Sequence, residues 1–226
     1  MNYHINTGLI HEKFTTDCEC PLCQIKKAVE EQFLTEYLND AVTDDDTRNE
    51  VNAEGFCFDH YKKLFSRPNK LSLALQVSTR FNTVLKNAGT PTDAKSAVKT
   101  ATALKKSATT CIICHQLSIA MGRYYIGVAE LYLKEPVFRE ELLSCKGLCL
   151  NHYAELLNYA KYAGSKTKDY IKDLTFVQER AYERLNTELK WFCDKHDYRN
   201  RLKPIGTSID ILPRMCEKIY SKELND

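Results

Sequence analysis

A two-part cysteine and histidine motif occurs twice in this chain, and that repetition limits the fold more than any other feature. Cys20-Pro21-Leu22-Cys23 is echoed 91 residues later by Cys111-Ile112-Ile113-Cys114. Gly55-Phe56-Cys57-Phe58-Asp59-His60-Tyr61 is echoed 92 residues later by Gly147-Leu148-Cys149-Leu150-Asn151-His152-Tyr153, with Leu64 and Leu156 in the same register. The gap between CxxC and CxxH is 33 residues in the first copy and 34 in the second. Composition alone produces a lone CxxC by accident, but not both parts twice at matched spacing. The chain therefore reads as a tandem duplication: a first half over residues 1–89, a Lys- and Ala-rich helix or linker over 90–110, and a second half over 111–226.

Both halves read as helix. After Cys23, Ile25, Ala28, Val29, Phe33, Tyr37 and Leu38 recur at helical spacing, with Lys26, Lys27, Glu30 and Glu31 on the outward face. After Cys114, Leu117, Met121, Tyr124, Tyr125, Val128, Leu131 and Tyr132 do the same for several turns. A second helix follows in each copy, started by Thr43-Asp44-Asp45-Asp46 in one and by Pro136 in the other. Gly55 and Gly147 fall where a C′ glycine would close that helix, and each CxxH then opens another. Further helices are expected over Leu71–Leu85, from about Lys168 to Phe192, and in the tail from Thr207 to Tyr220. No stretch alternates with period two. The expected fold is all-α, with about nine or ten helices in two related halves, each carrying a metal site.

The spacing defines what the motifs can bind. A structural zinc ion takes four nitrogen or sulfur ligands in a tetrahedron, and C-x₂-C delivers two of them from one turn. CxxH places its two ligands at i and i+3, on one face of a helix. The candidate metal ligands are Cys20, Cys23, Cys57 and His60 for one ion, and Cys111, Cys114, Cys149 and His152 for a second. This within-copy grouping is favoured by its shorter gaps, against 50 residues between His60 and Cys111, although spacing also permits exchange of CxxH partners between copies. Four protein ligands leave no open coordination position, so the sites read as structural, with two zinc ions per chain. An iron–sulfur cluster is the alternative, for which Cys18 would be a spare thiolate. A redox dithiol is a third reading, but no βαβ pattern surrounds either CxxC.

Cys193 and His196 form a third CxxH without a CxxC partner or the flanking Gly and Tyr, and read as an accidental pair. Cys145 and Cys216 read as packing thiols. GxGxxG, HExxH, GxSxG and Glu-x-x-His are absent, and Gly122-x₄-Gly127 continues with Val128 instead of a P-loop Lys. No catalytic residue and no organic cofactor site is expected. Paired acids such as Glu30 and Glu31, or Glu140 and Glu141, read as solvated helix faces.

Composition enters in three places. Ten Cys in clusters, with no visible signal sequence, suggest metal or thiol chemistry in the cytoplasm and not disulfides. A net charge of +2 gives no general reason to expect nucleic acid, and the five Lys between Lys86 and Thr110 read as a solvated face. No run approaches the ~20 apolar residues of a membrane span, so no membrane partner is expected.

Cys-Pro-Leu-Cys followed by a helix, then Gly-Phe-Cys-x-x-His, resembles a family of bacterial cytoplasmic proteins of unknown function. The tail from His196 to Asn200, with Pro204-Ile205-Gly206 and Asp210 to Arg214, is similar to that family's ending, although Ile205 departs from its Trp. The resemblance implies the helical fold and the metal ligands and carries no reaction. The expectation is a zinc-stabilised helical module that binds a macromolecular partner, protein or nucleic acid, without catalysis. The alternative is an iron–sulfur or thiol-redox protein that uses the same clusters.

Overall fold

The structure, a computed structural model, describes residues 6–39 and 44–222, and among them it contains eleven α-helices and no strand. Helix α1 (Thr7–Thr15) is the one the sequence did not announce. Asn6 caps it by accepting from the Leu9 amide at 3.1 Å, but it buries only Ile10 and Phe14, too few apolar positions to show a period. Helix α2 (Pro21–Asn39) follows the first CxxC. Helix α3 (Asp45–Glu54) is capped by Asp44, whose carboxylate accepts from the Thr47 amide at 2.7 Å, and Asp45 and Asp46 complement the helix dipole in its first turn. Thr43, the first residue of the expected start signal, lies outside the described residues.

Helices α4 (Phe58–Phe65) and α5 (Lys70–Ala88) come next, and α5 stops at Gly89. The Lys- and Ala-rich stretch is a helix, α6 (Ala94–Thr109), started by a reciprocal capping box between Asp93 and Ser96. The second CxxC leads into α7 (Ile112–Lys134), and Pro136 opens α8 (Pro136–Ser144). Helix α9 (Leu150–Asn158) starts right after Cys149 as α4 does after Cys57. Helix α10 (Thr167–Asp194) buries Tyr170, Leu174, Val177, Ala181 and Leu185 at three- and four-residue steps, and α11 (Ile211–Tyr220) ends the described chain.

One expected helix stop moves. Gly55 closes α3, with its amide bonded to the Val51 carbonyl, but α8 already ends at Ser144 with Cys145 as its cap. Gly147 lies beyond that cap at φ 99° and serves a different purpose, described below.

Two compact units divide the chain. One takes in the chain through Lys27 and again from Ala120; the other is Ala28–Ile119. Their boundaries fall inside α2 and α7. In the first unit α10 packs on α8 and α11, and α1 lies on α8, where Phe14 meets Phe138 edge-on at 5.1 Å. Tyr132 donates to Asp173, which also pairs with Arg139 at 2.7 Å. In the second unit α5 packs against α3 and α6, around Leu34, Tyr37, Val51, Leu64 and Leu73. Full burial of each such side chain contributes about 1.5–3 kcal/mol relative to exposure. Gln76 of α5 donates to the Tyr37 carbonyl at 2.8 Å, which satisfies an orphan acceptor in the last turn of α2.

Candidate metal centres

All eight expected ligands come together, but not in the expected sets. Cys20 and Cys23 meet Cys149 and His152, and Cys57 and His60 meet Cys111 and Cys114. Each CxxC therefore serves the CxxH of the other copy, and the within-copy grouping that shorter loops favoured is corrected. Within each set the four ligand atoms lie within 4.8 Å of one another.

Side-chain staples explain the exchange. In the second unit the Ile112 amide donates to the Gly55 carbonyl at 3.0 Å, and Thr110 Oγ1 donates to the Glu54 carbonyl at 2.6 Å. Arg80 of α5 reaches between the same two turns. Its guanidinium donates to the Asn52 and Ala53 carbonyls on one side and to the Ser107 carbonyl on the other. The end of α3 and the start of α7 are thus joined, and Cys57 is delivered to Cys111. The first unit repeats the device with different residues. Lys218 of α11, only 3% exposed, donates to the carbonyls of Glu19 and Lys146, while Arg184 of α10 pairs with the Glu19 carboxylate. Glu19 precedes the CxxC and Lys146 precedes the CxxH turn, so these cations bind one turn to the other.

The two glycines make room for the staples. Gly55 has φ 70°, and a Cβ there would sit 2.9 Å from Arg80 Nε. Gly147 has φ 99°, and a Cβ there would sit 2.5 Å from the Cβ of Ala181 and 3.3 Å from Lys218 Nζ. A side chain at either position would be strained by backbone conformation and by contact.

Both histidines turn Nδ1 to the thiols. His152 Nδ1 lies 3.4 Å from Cys20 Sγ, 3.4 Å from Cys23 Sγ and 3.1 Å from Cys149 Sγ, and Cys23 and Cys149 are 3.7 Å apart. His60 Nδ1 lies 3.2 Å from Cys57 Sγ, 3.3 Å from Cys111 Sγ and 3.3 Å from Cys114 Sγ, and Cys57 and Cys114 are 3.8 Å apart. One tetrahedral zinc would set S···S edges of about 3.8 Å and S···N edges of about 3.5 Å. The donor sets fit such an ion.

Ionisation of the thiols points the same way. Burial pushes Cys111 up, but the adjacent His60 outweighs it and holds the thiol down at about 6. Burial and the neighbouring Cys111 push Cys114 up to about 12. In the other set contacts with Cys20 and Cys23 hold Cys149 low, while burial raises Cys20 and the Cys149 contact raises Cys23. Cys111 is thus held low beside a raised Cys114, and Cys149 beside raised Cys20 and Cys23, since like charges this close repel. A divalent cation would let all three thiolates of a set coexist.

The outer contacts differ. His60 Nε2 bonds Glu30 Oε1 at 2.9 Å, and Lys63 Nζ holds the same carboxylate at 2.9 Å. Burial works against the charge, yet His60 and Lys63 hold Glu30 down at about 2. Glu30 reads as part of a solvated face in the sequence; it instead bonds His60, and with a metal bound it would orient that imidazole, as carboxylates behind metal-bound imidazoles do. The repeat gives no signal for it, because the residue 91 positions later is Met121. His152 has no carboxylate partner among the described residues; it lies beside Tyr125, ring centroids 6.1 Å apart. Cys149 instead accepts from Ser221 Oγ at 3.0 Å, at the end of α11.

Cys18 stays outside the first set, directed at the Lys13 carbonyl at 3.9 Å, with its thiol pushed up to about 11 chiefly by burial. Cys193 is exposed, and neither it nor His196 joins a ligand group among the described residues. Cys145 is buried and Cys216 partly so, and both are also outside the two sets.

Over 191 residues the chain is 22% identical to a protein of Caldicellulosiruptor sp. (strain Rt8B.4) described as an uncharacterized 23.9 kDa protein in the xynA 3′ region. That similarity covers 84% of this chain and 87% of the other protein. No solved structure matches the chain. The family of unknown function DUF6062 matches residues 1–226, and the chain belongs to it.

Proposed function

We propose that this is a zinc protein in which two Cys₃His ions hold the helical units in shape, and that it acts in the cytoplasm by binding a macromolecular partner, without catalysis. The observation that carries the reading is the size of each ligand set: histidine–sulfur separations of 3.1–3.4 Å, a sulfur–sulfur separation of 3.7 Å in one set and 3.8 Å in the other, and all ligand atoms within 4.8 Å suit one tetrahedral ion. An iron–sulfur cluster divides its ligands between irons and spreads them farther than one ion does. Four protein ligands fill the coordination of zinc, so neither centre keeps the open position on which catalytic zinc depends. Among the described residues no helix is long and apolar enough to cross a membrane.

Elemental analysis and the electronic spectrum of protein purified without oxygen test this together. The expected result is a colourless protein with two zinc per chain. A brown protein containing iron and sulfide would replace the reading with the iron–sulfur one, and a metal content near zero would leave the thiol-redox reading.

A further inference from the structure

Helix α6 is turned the unusual way round. None of its residues is buried, and the side that approaches α5 carries the partly covered Ser96, Thr100, Ala103 and Ser107, with Thr100 Oγ1 donating to the Ala88 carbonyl at 2.8 Å. At 100° per residue Leu104 and Ala97 fall on one flank of that side, Ala101, Ala94 and Val98 fall farther round with Lys105 among them, and Val98 is 68% exposed. Helix α5 behaves alike. It buries Leu73 and Gln76 on one side and leaves Leu71, Leu75, Phe81 and Leu85 between 48% and 71% exposed on the other.

The stretch of sequence that carries these helices is basic. Residues 58–110 hold ten Lys and Arg against Asp59 and Asp93, a net +8, whereas the whole chain is +2; the remainder is therefore −6. Lys63 and Arg67 are held by Glu30 and Glu31, and Arg80 by backbone carbonyls. Lys62, Lys70, Lys86, Lys95, Lys99 and the Lys105–Lys106 pair are exposed and have no carboxylate partner among the described residues. Lys95, Lys99 and Lys106 form one row on the far flank of α6, whereas Lys105 falls within its apolar arc and Lys70 and Lys86 fall at the two edges of the α5 arc.

We propose that the exposed face of α5 and α6 docks on an anionic lipid surface. Apolar side chains bordered by lysines suit the boundary between headgroups and acyl chains, where lysine stems lie along the apolar region and ammonium groups meet phosphate. The expectation of no membrane partner rested on the absence of a spanning helix, which surface docking does not need. Nucleic acid would use the charge but not the leucines, and the face offers only Phe81 for stacking and no free Arg on α5 or α6. The apolar arcs lie on the outward sides of their helices, which present ridges to a bilayer where a partner helix would need a groove.

The test is co-sedimentation of the full, metal-loaded chain with vesicles of phosphatidylcholine alone or with added phosphatidylglycerol. Binding is expected only with phosphatidylglycerol and should weaken as salt rises. Each lysine near such a surface contributes roughly five-fold, so combined Lys70→Glu, Lys86→Glu and Lys105→Glu should weaken binding by on the order of 100-fold. Combined Leu71→Ser and Leu75→Ser keeps the charge and should weaken it several-fold. Helical ellipticity and zinc content check folding, and Lys86→Gln with Lys105→Gln is a milder substitute should the charge reversal not fold. Equal binding to both vesicles, or full binding by the lysine variant, overturns the proposal. So does tighter, leucine-independent binding to a single-stranded oligonucleotide, which would make the face a nucleic-acid surface.

Discussion

The centre at Cys20, Cys23, Cys149 and His152 has two of its thiols wholly buried, whereas in the centre at Cys57, His60, Cys111 and Cys114 the last thiol is exposed and the first only half covered. The motifs are the same; the surroundings are not. The first centre sits behind the buried Lys218 and Glu19 and accepts a hydroxyl from Ser221. The second has less cover but a stronger outer contact, the Glu30 carboxylate on its histidine. A ligand set can thus be kept in place either by packing or by orientation of one ligand, and a duplicated motif does not carry its environment with it.

Removing one thiolate from either centre is the largest disturbance and tests whether they are separate. Structural zinc binding is worth about 10–16 kcal/mol apparent in small zinc-finger peptides, where it appears as folding energy. Cys57→Ser should halve the zinc and expose amides between Asp45 and Ile119, leaving those after Ala120 protected against hydrogen exchange. Cys149→Ser should do the reverse. Loss of both ions from either variant, or loss of protection around Cys20 in Cys57→Ser, would overturn the exchanged ligand sets.

The glycines sharpen the contrast. In Gly147→Ala the new methyl meets the Cβ of Ala181, which α10 cannot move cheaply; in Gly55→Ala it meets the flexible Arg80 chain. Left-handed backbone costs each variant about 1–2 kcal/mol, and overpacking adds about 1–3 kcal/mol where the neighbour is rigid. Gly147→Ala should therefore be clearly the less stable in denaturant unfolding. Equal losses would mean that the staples matter less than backbone strain.

Glu30→Gln is the smallest change and isolates orientation. It keeps the shape and removes the charge behind His60. Loss of such a partner typically costs 10–100-fold in metal affinity. Competition with a chelator should show that loss at one ion only, the other retaining wild-type affinity. A loss at both ions, or at neither, would break the distinction between packing and orientation.

Much of this was legible in the chain. Helices α2, α5, α7 and α10 follow from their apolar period, α3 and α8 from their starts, and the eight clustered Cys and His residues from their repetition. Pairing was not legible, because loop length sets only a slowly varying entropy and says nothing of which turns a buried cation joins. Arg80, Arg184 and Lys218, which decide it, are single residues without a counterpart in the repeat. Glu30 was hidden for the same reason: on a helix wheel it resembles any outward acid. Helix α1 was too short, with two buried positions, to be distinguished from a loop.

The exchanged ligand sets also have a consequence for synthesis. As the chain leaves the ribosome, the first complete Cys₃His set to appear is Cys20, Cys23, Cys57 and His60, which is not a native one. Cys111 and Cys114 follow His60 by 51 and 54 residues, roughly 3–10 s at ordinary translation rates. Cys149 and His152 come later still. During that interval the nascent chain offers zinc a closed but wrong cage, with a shorter loop than either correct one. On the zinc reading, metal supplied early would trap the chain and metal supplied late would find both exchanged cages, so the timing of zinc delivery would become part of how this protein is made.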